Sequence, residues 1–450
     1  MYLLYSLLLT IGLIAASPLF VIEALRNGKY IVGLTQRLGR IPRINSNNLP
    51  IIWLHCVSVG ELAAARTLVD AIIDRFPSHR LVVSTTTITG QNVARQMFSK
   101  QAAAIFYFPI DWAWTVRRVL RIVQPATVLI METELWPRLF HECHRRGIPV
   151  LLINGRISAR SFHRYKLVRT FMGDVLRNLF LALMQSNRDA ERLRELGMPE
   201  ERIRTIGNLK FDSAAAIVDD NASELLRNRF GFGGSPPLIV AASTHDPEEQ
   251  IVIEAFKLVR DQCQARLLIV PRHPERFDEV VSLLKHSGLS WSRRSHEPSP
   301  VDVGAEVILL DSIGELRAAY ALADIAFVGG SIARRGGHNV LEPAALGICV
   351  VTGPHTDNFA VATSVLLDED AIIQLPDASP SETPAKLASV LTELLSDKAK
   401  RHEVGQRAQA VCHRNTGATE RTVEAIATVL SRSSPSEVPS APSLPATAFK

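Results

Sequence analysis

Cysteine is scarce in this chain and follows no pattern. Its five thiols, Cys56, Cys143, Cys263, Cys349 and Cys412, are scattered over 450 residues, and no two stand in a C-x-x-C spacing. An odd, unpatterned set excludes a disulfide framework and points to reduced thiols on a cytosolic face. No zinc-ligand motif is present. Aromatic residues make up only 6% and do not interleave with the basic runs, which argues against nucleic acid as a partner. No internal repeat appears, so solenoids and propellers are excluded. What remains is a globular composition, 47% hydrophobic and 21% charged, on a chain long enough for two domains.

The net charge of +5 conceals an asymmetry. From Arg26 to Asp212 there are 28 Lys+Arg against 14 Asp+Glu; from Ser213 to Lys450 there are 22 against 30. The basic first half calls for an acidic partner, and phosphorylated ligands and anionic lipid both qualify. Residues 2–22 carry no charge and are followed by Arg26, Lys29, Arg37, Arg40 and Arg43. That length is about enough to span a bilayer, and no basic region precedes it as in a cleaved signal peptide. The flanking cations predict an N-terminal membrane-anchor helix over 1–25, with the rest of the protein on the cytoplasmic side of the membrane. A helix dipping into one leaflet and a buried core helix are the alternatives.

Beyond the anchor, short apolar strands alternate with amphipathic helices. LPIIWLHCV, RLVVSTTT, IFYFPI, TVLIME and VLLING read as strands of a first unit; PLIVAAST, ARLLIVPRH, VILLDS, DIAFVGGS and CVVTG read as strands of a second. This pattern predicts two doubly wound, Rossmann-like parallel sheets covered on both faces. The boundaries fall at 26–212 and 236–430, with a polar, then Gly/Pro-rich linker over 213–235. The Ser/Pro-rich residues 431–450 read as a disordered tail.

Ligands in such sheets bind at the carboxyl ends of the strands. GGSIARRGGHNVLEP, Gly329 to Pro343, follows a buried strand and leads into a helix expected to start near Asn339. Its glycines and the helix start predict open N–H groups for a phosphate or sugar-acid carboxylate, with Glu342 available to ribose hydroxyls. The alternative is a plain strand-to-helix turn.

Six other segments carry candidate residues. In HCVSVGEL, Glu61 falls in the first helical turn, where the helix dipole is expected to keep it ionised as a general base; an ordinary N-terminal glutamate is the other reading. In METELWP, Glu132 and Glu134 are expected to end a strand on one side of its pleat, either for chemistry or as ion-pair partners. Arg272 and His273 follow a strand and suit a phosphate. Gly314, Glu315 and Leu316 form a turn able to bond a nucleobase or simply to cap a helix. Lys210 lies near the junction as a candidate phosphate contact or a surface lysine. Arg156, Arg160, Arg164, Lys166 and Arg169 form the densest basic run, either a solvated helix face or a surface for phosphates at the bilayer.

Taken in order, HCVSVGE, TTTITG, METELWP, RISARS, GNLKFD, ASTHDPEE, PRHPER, GEL, GGSIARRGGHNVLEP and GPHTDNF make the chain resemble the Kdo transferases of Gram-negative bacteria. These enzymes move 3-deoxy-D-manno-octulosonic acid (Kdo) from CMP-Kdo onto the tetraacyldisaccharide bisphosphate precursor of lipid A. The resemblance implies the GT-B fold, an α/β architecture of two Rossmann-like domains, acceptor-binding first and donor-binding second. It implies an inverting transfer at the inner membrane with no cofactor and no metal. Glu61 would be the general base, and Glu132 and Lys210 would support the transition state. Arg272, His273, Gly314, Glu315, Leu316, Asn339, Val340, Leu341 and Glu342 would hold CMP. Ser58, Arg156, Arg160 and Arg164 would face acceptor and membrane. The departures are Cys56 where a small residue is usual, Asp357 in place of an aromatic, and NGRIS for NARLS.

Overall fold

The computed structural model describes residues 1–27, 32–215, 220–232, 234 and 236–433. It divides into two units, one formed by Met1–Leu209 with a return segment from Gly417, the other by Lys210–Thr416.

The first unit is built on seven parallel strands: β1 (Ile51–Cys56), β2 (Arg80–Thr85), β3 (Ala102–Tyr107), β4 (Pro125–Met131), β5 (Val150–Gly155), β6 (Leu181–Met184) and β7 (Ile203–Thr205). Their order is β3-β2-β1-β4-β5-β6-β7, so β1 and β4 are neighbours where the winding reverses. β1 and β5 are buried along their whole length, as their unbroken apolar sequences require. The second unit repeats the plan with β8 (Leu238–Thr244), β9 (Arg266–Pro271), β10 (Trp291–Arg293), β11 (Val307–Leu309), β12 (Ile325–Val328), β13 (Cys349–Thr352) and β14 (Ile373–Gln374). The order is β10-β11-β9-β8-β12-β13-β14, with the reversal at β8 and β12. The expected pair of doubly wound sheets is therefore present. The sequence pattern missed β6, β7, β10 and β14, all four residues or shorter.

Two boundaries differ from expectation. The helix Ala418–Ser433 belongs to the first unit: Val423, Ala425, Ile426 and Val429 pack with Leu54, Leu62 and Leu68, and Arg421 donates to the Ile206 carbonyl at 2.8 Å. Residues 213–235 are not all linker. Asp220–Phe230 forms a helix whose Leu226 and Phe230 are buried beside Val240 and Tyr320. Of the expected tail, 431–450, the first three residues end the helix Ala418–Ser433, and 434–450 lie outside the described residues.

The N-terminal helix spans Tyr2–Asn27. Its polar positions dock on the first unit. Tyr5 donates to Asp111 at 3.0 Å, Arg138 donates to the Ser6 hydroxyl at 2.9 Å, and Trp112 donates to Thr10 at 3.0 Å. The opposite face leaves Leu3, Leu4, Leu7, Leu8, Ile11 and Ile14 exposed. Among the described residues no helix is long and apolar enough to cross a membrane.

Candidate active site

At the carboxyl end of β1, Ser58 caps the helix Val59–Arg75. Its hydroxyl accepts from the Glu61 N–H at 3.3 Å and donates to the Glu61 carboxylate at 3.0 Å, while the Val57 N–H donates to the other oxygen at 2.8 Å. This reciprocal box satisfies two donors of the helix start and fixes the Glu61 rotamer. Glu61 is buried, and burial pushes its carboxyl up to about 7, with Glu132 and Glu134 adding repulsion against the Val57 and Ser58 hydrogen bonds. Burial thus acts against the helix dipole that was expected to keep Glu61 ionised. A carboxyl that titrates near neutrality is better matched to general-base work than an ordinary one.

Glu132 and Glu134 do not share the pleat of a strand, because β4 ends at Met131. Glu132 turns the chain at φ 54, a conformation that costs a non-glycine residue energy and that concentrates at functional sites. Its N–H donates to the Ile153 carbonyl at 3.0 Å. Glu134 is raised by burial first and then by Glu132. Three mutually repelling carboxyls thus stand at the mouth of neighbouring strands. Arg156 follows β5, and Arg160 and Arg164 are exposed on the helix Ala159–Lys166. Among the described residues only Lys166 of this run is ion-paired, to Glu195 at 2.9 Å. The charge of Glu134 reaches Tyr165 on the same helix, so the basic helix adjoins the acidic cluster.

In the second unit the strands β9, β8 and β12 are adjacent, and their carboxyl ends deliver Arg272 and His273, His245, and the glycine loop. The loop is not the open anion cradle the sequence suggests. Glu248, fully buried in the first turn of the helix Glu248–Arg260, already occupies it. Its carboxylate accepts N–H groups from Gly330 (2.7 Å), Ser331 (3.0 Å), Ile332 (2.8 Å) and Ala333 (3.1 Å), as well as from His245 (3.0 Å). The following helix is short, Leu341–Ala345, and starts later than expected. Asn339 orients it: its side-chain oxygen accepts from the Leu341 N–H at 3.1 Å and its NH2 donates to Glu342 at 2.9 Å. Val340 caps the helix and, with Leu341, is buried beneath this end. Burial raises Glu342, while Arg317 and Arg272 oppose the rise. Gly314 has φ 96 and is exposed; Glu315 pairs with Arg294 at 2.9 Å, and Leu316 opens the next helix.

A family model described as 3-Deoxy-D-manno-octulosonic-acid transferase (kdotransferase) matches residues 33–213. The chain is 34% identical to the 3-deoxy-D-manno-octulosonic acid transferase of Haemophilus influenzae over 414 residues, which is 91% of this chain and 94% of that protein. The namesake from Bordetella pertussis is 34% identical over 391 residues, 83% of this chain and 86% of that one. The chain belongs to the Kdo transferase family. A solved glycosyltransferase from Rickettsia africae shares the two-sheet fold at 12% identity, with a TM-score of 0.54 over 85% of this chain and 99% of that one. The chain is thus a glycosyltransferase of GT-B architecture.

The predicted residues of this Kdo transferase are divided between the two units. Ser58, Glu61, Glu132 and the basic helix share the first unit. Lys210 belongs to the second, where its ammonium lies 5.4 Å from the centre of the Phe359 ring. Among the described residues no group of three or more His, Cys, Asp or Glu could hold a metal. Sequence reasoning missed Glu248, His245 and His338. Each stands within a quoted motif, but the contact of Glu248 with the glycine loop joins residues 82 to 85 positions apart.

Proposed function

We propose that this enzyme transfers Kdo from CMP-Kdo to the tetraacyldisaccharide bisphosphate lipid A precursor, with inversion and without a metal. The observation that carries the mechanism is the Glu61 carboxyl, locked by Ser58 and Val57 and raised to about 7 beside two other carboxyls. Glu61 takes the proton from the acceptor's primary hydroxyl as that oxygen attacks the anomeric carbon of Kdo. The bond from that carbon to the CMP phosphate oxygen breaks, and CMP leaves with the electron pair. Glu132 stabilises the positive charge that builds on the sugar, and Lys210 stabilises the departing phosphate. Arg272 and His273 contact that phosphate, Glu342 accepts from the ribose hydroxyls, and the turn at Gly314, Glu315 and Leu316 faces the base.

The acceptor is a bisphosphorylated lipid. Its phosphates suit the guanidiniums of Arg156, Arg160 and Arg164, which make no ion pair among the described residues. The enzyme works at the cytoplasmic face of the inner membrane, held there by its first helix, whose outward row from Leu3 to Ile14 enters the leaflet. Exposed Leu167 and the arginines around it extend this surface toward anionic headgroups.

Release of CMP from CMP-Kdo tests this reading. Release that depends on the lipid acceptor is the expected result. Release indifferent to acceptor, or turnover of a UDP-sugar in its place, counts against it.

A further inference from the structure

A cavity of about 540 Å³ opens at the carboxyl ends of β8, β9 and β12, lined by His245, Asp246, His273, Arg276, Arg335 and His338. The rings of His245 and His338 lie parallel, 4° apart with centroids at 5.0 Å, and their Nε2 atoms meet at 2.7 Å. One of those nitrogens carries the proton and the other the lone pair, so the contact requires that the two rings not both be imidazolium. His273 stands edge-on to His245 at 5.1 Å.

The cations around this pair are unequal. Arg276 is committed to Glu249 at 3.1 Å and Glu279 at 2.6 Å. Arg272 and Arg335 make no ion pair among the described residues. Asp246, which also lines the cavity, pairs with Arg276 at 3.6 Å, so among the described residues Arg335 is the lining arginine left without an ion pair. Burial first, and then neighbouring cationic groups, lower His338 to about 3 and His245 to about 4. The backbone cradle next door cannot serve an incoming anion, because Glu248 fills it. Arg335 lines this cavity, whereas Arg272, which acts on Glu342, is not among its lining residues.

A nucleotide-linked sugar acid brings two anions, the phosphodiester assigned above to Arg272 and the sugar carboxylate, and Arg335 lines this pocket with no ion pair among the described residues. We propose that Arg335, with His245 and His338, forms a subsite for the carboxylate of the donor sugar, separate from the phosphate contact at Arg272. The inference rests on the donor assigned above. It supplies a specificity rule: a neutral sugar in this pocket would leave Arg335 unanswered, so nucleotide-linked sugar acids are selected over neutral nucleotide sugars.

The test is calorimetric titration of the full-length enzyme in detergent with three probes: CMP, a hydrolysis-resistant phosphonate analogue of CMP-Kdo, and the same analogue with its carboxylate converted to the primary amide. The wild type is expected to bind the acid roughly 10- to 100-fold tighter than the amide, as for a charge-assisted contact. Arg335→Gln, at an exposed position, and His338→Gln are expected to reduce the acid to the affinity of the amide and to leave CMP binding unchanged. Thermal unfolding of both variants checks that they are folded. Acid preference that survives in both variants overturns the proposal. So does a loss of CMP affinity equal to the loss of acid affinity, which would give the subsite to the phosphate. A wild type that binds neither CMP nor the acid overturns the donor reading itself.

Discussion

The carboxylate of Glu248 meets the N–H of Gly330 at 2.7 Å, across 82 positions of sequence. That contact turns what looks like an open phosphate loop into a closed structural knot. The loop's shape is set from within before any ligand arrives, and the donor's anions are left to side chains.

Removing the knot should be costly. Glu248→Ala strands five N–H groups, three of them in fully buried contacts. A buried donor left without a partner costs ~1–3 kcal/mol, so a loss of at least about 3 kcal/mol is expected. Chemical denaturation measures it, and a variant within experimental error of wild type would show that the loop does not need the carboxylate.

Glu61→Ala is expected to lower transfer by roughly 10²- to 10⁴-fold, the usual contribution of a general base. CMP binding should be unaffected, because every residue assigned to CMP lies in the second unit. Titration with CMP alongside the transfer assay separates the two; loss of CMP binding would remove Glu61 from the role of base.

The pH dependence follows from the raised Glu61. A base works deprotonated, so transfer should rise with pH through about 7. The contribution of Glu61 to stability runs the other way: with its folded pKa above the unfolded value, it is fully present below about 4.5 and lost as pH rises through about 7. Ser58→Ala deletes a hydrogen bond that holds the carboxyl down, so the rising limb should move to higher pH. It should also cost ~1 kcal/mol as a lost helix cap. A profile that does not move in this variant would detach the limb from Glu61.

Asn339→Ala frees the Glu342 carboxylate from its 2.9 Å tether. Weaker CMP binding by about tenfold is expected, since hydrogen bonds to charged groups contribute roughly 1.5–3 kcal/mol. Titration with cytidine provides the control: if the ribose contact carries the effect, cytidine should weaken in the same proportion.

Much of this architecture is legible in the sequence because parallel strands buried on both faces leave unbroken apolar runs, as in β1, β5 and β9. The strands that escaped notice are too short to show a run: β7 has three residues, two of them exposed, and β14 has two. The return of Ala418–Ser433 to the first unit was invisible because an amphipathic helix announces a buried face but not its partner. The candidate residues were placed by motif, yet their environments were not. The protonation of Glu61 depends on burial and on Glu132 and Glu134, more than 70 positions away, and the lowering of His245 depends on burial first and then on His273, Arg335 and Arg272. Such couplings are made by tertiary packing alone.

The central claim is tested most directly by mass spectrometry of the lipid acceptor after incubation with detergent-solubilised enzyme and CMP-Kdo generated in place. A gain in mass by one or more whole Kdo residues, absent with Glu61→Ala, is the predicted result. An unchanged lipid, with the wild-type protein folded and the donor intact, would contradict the account.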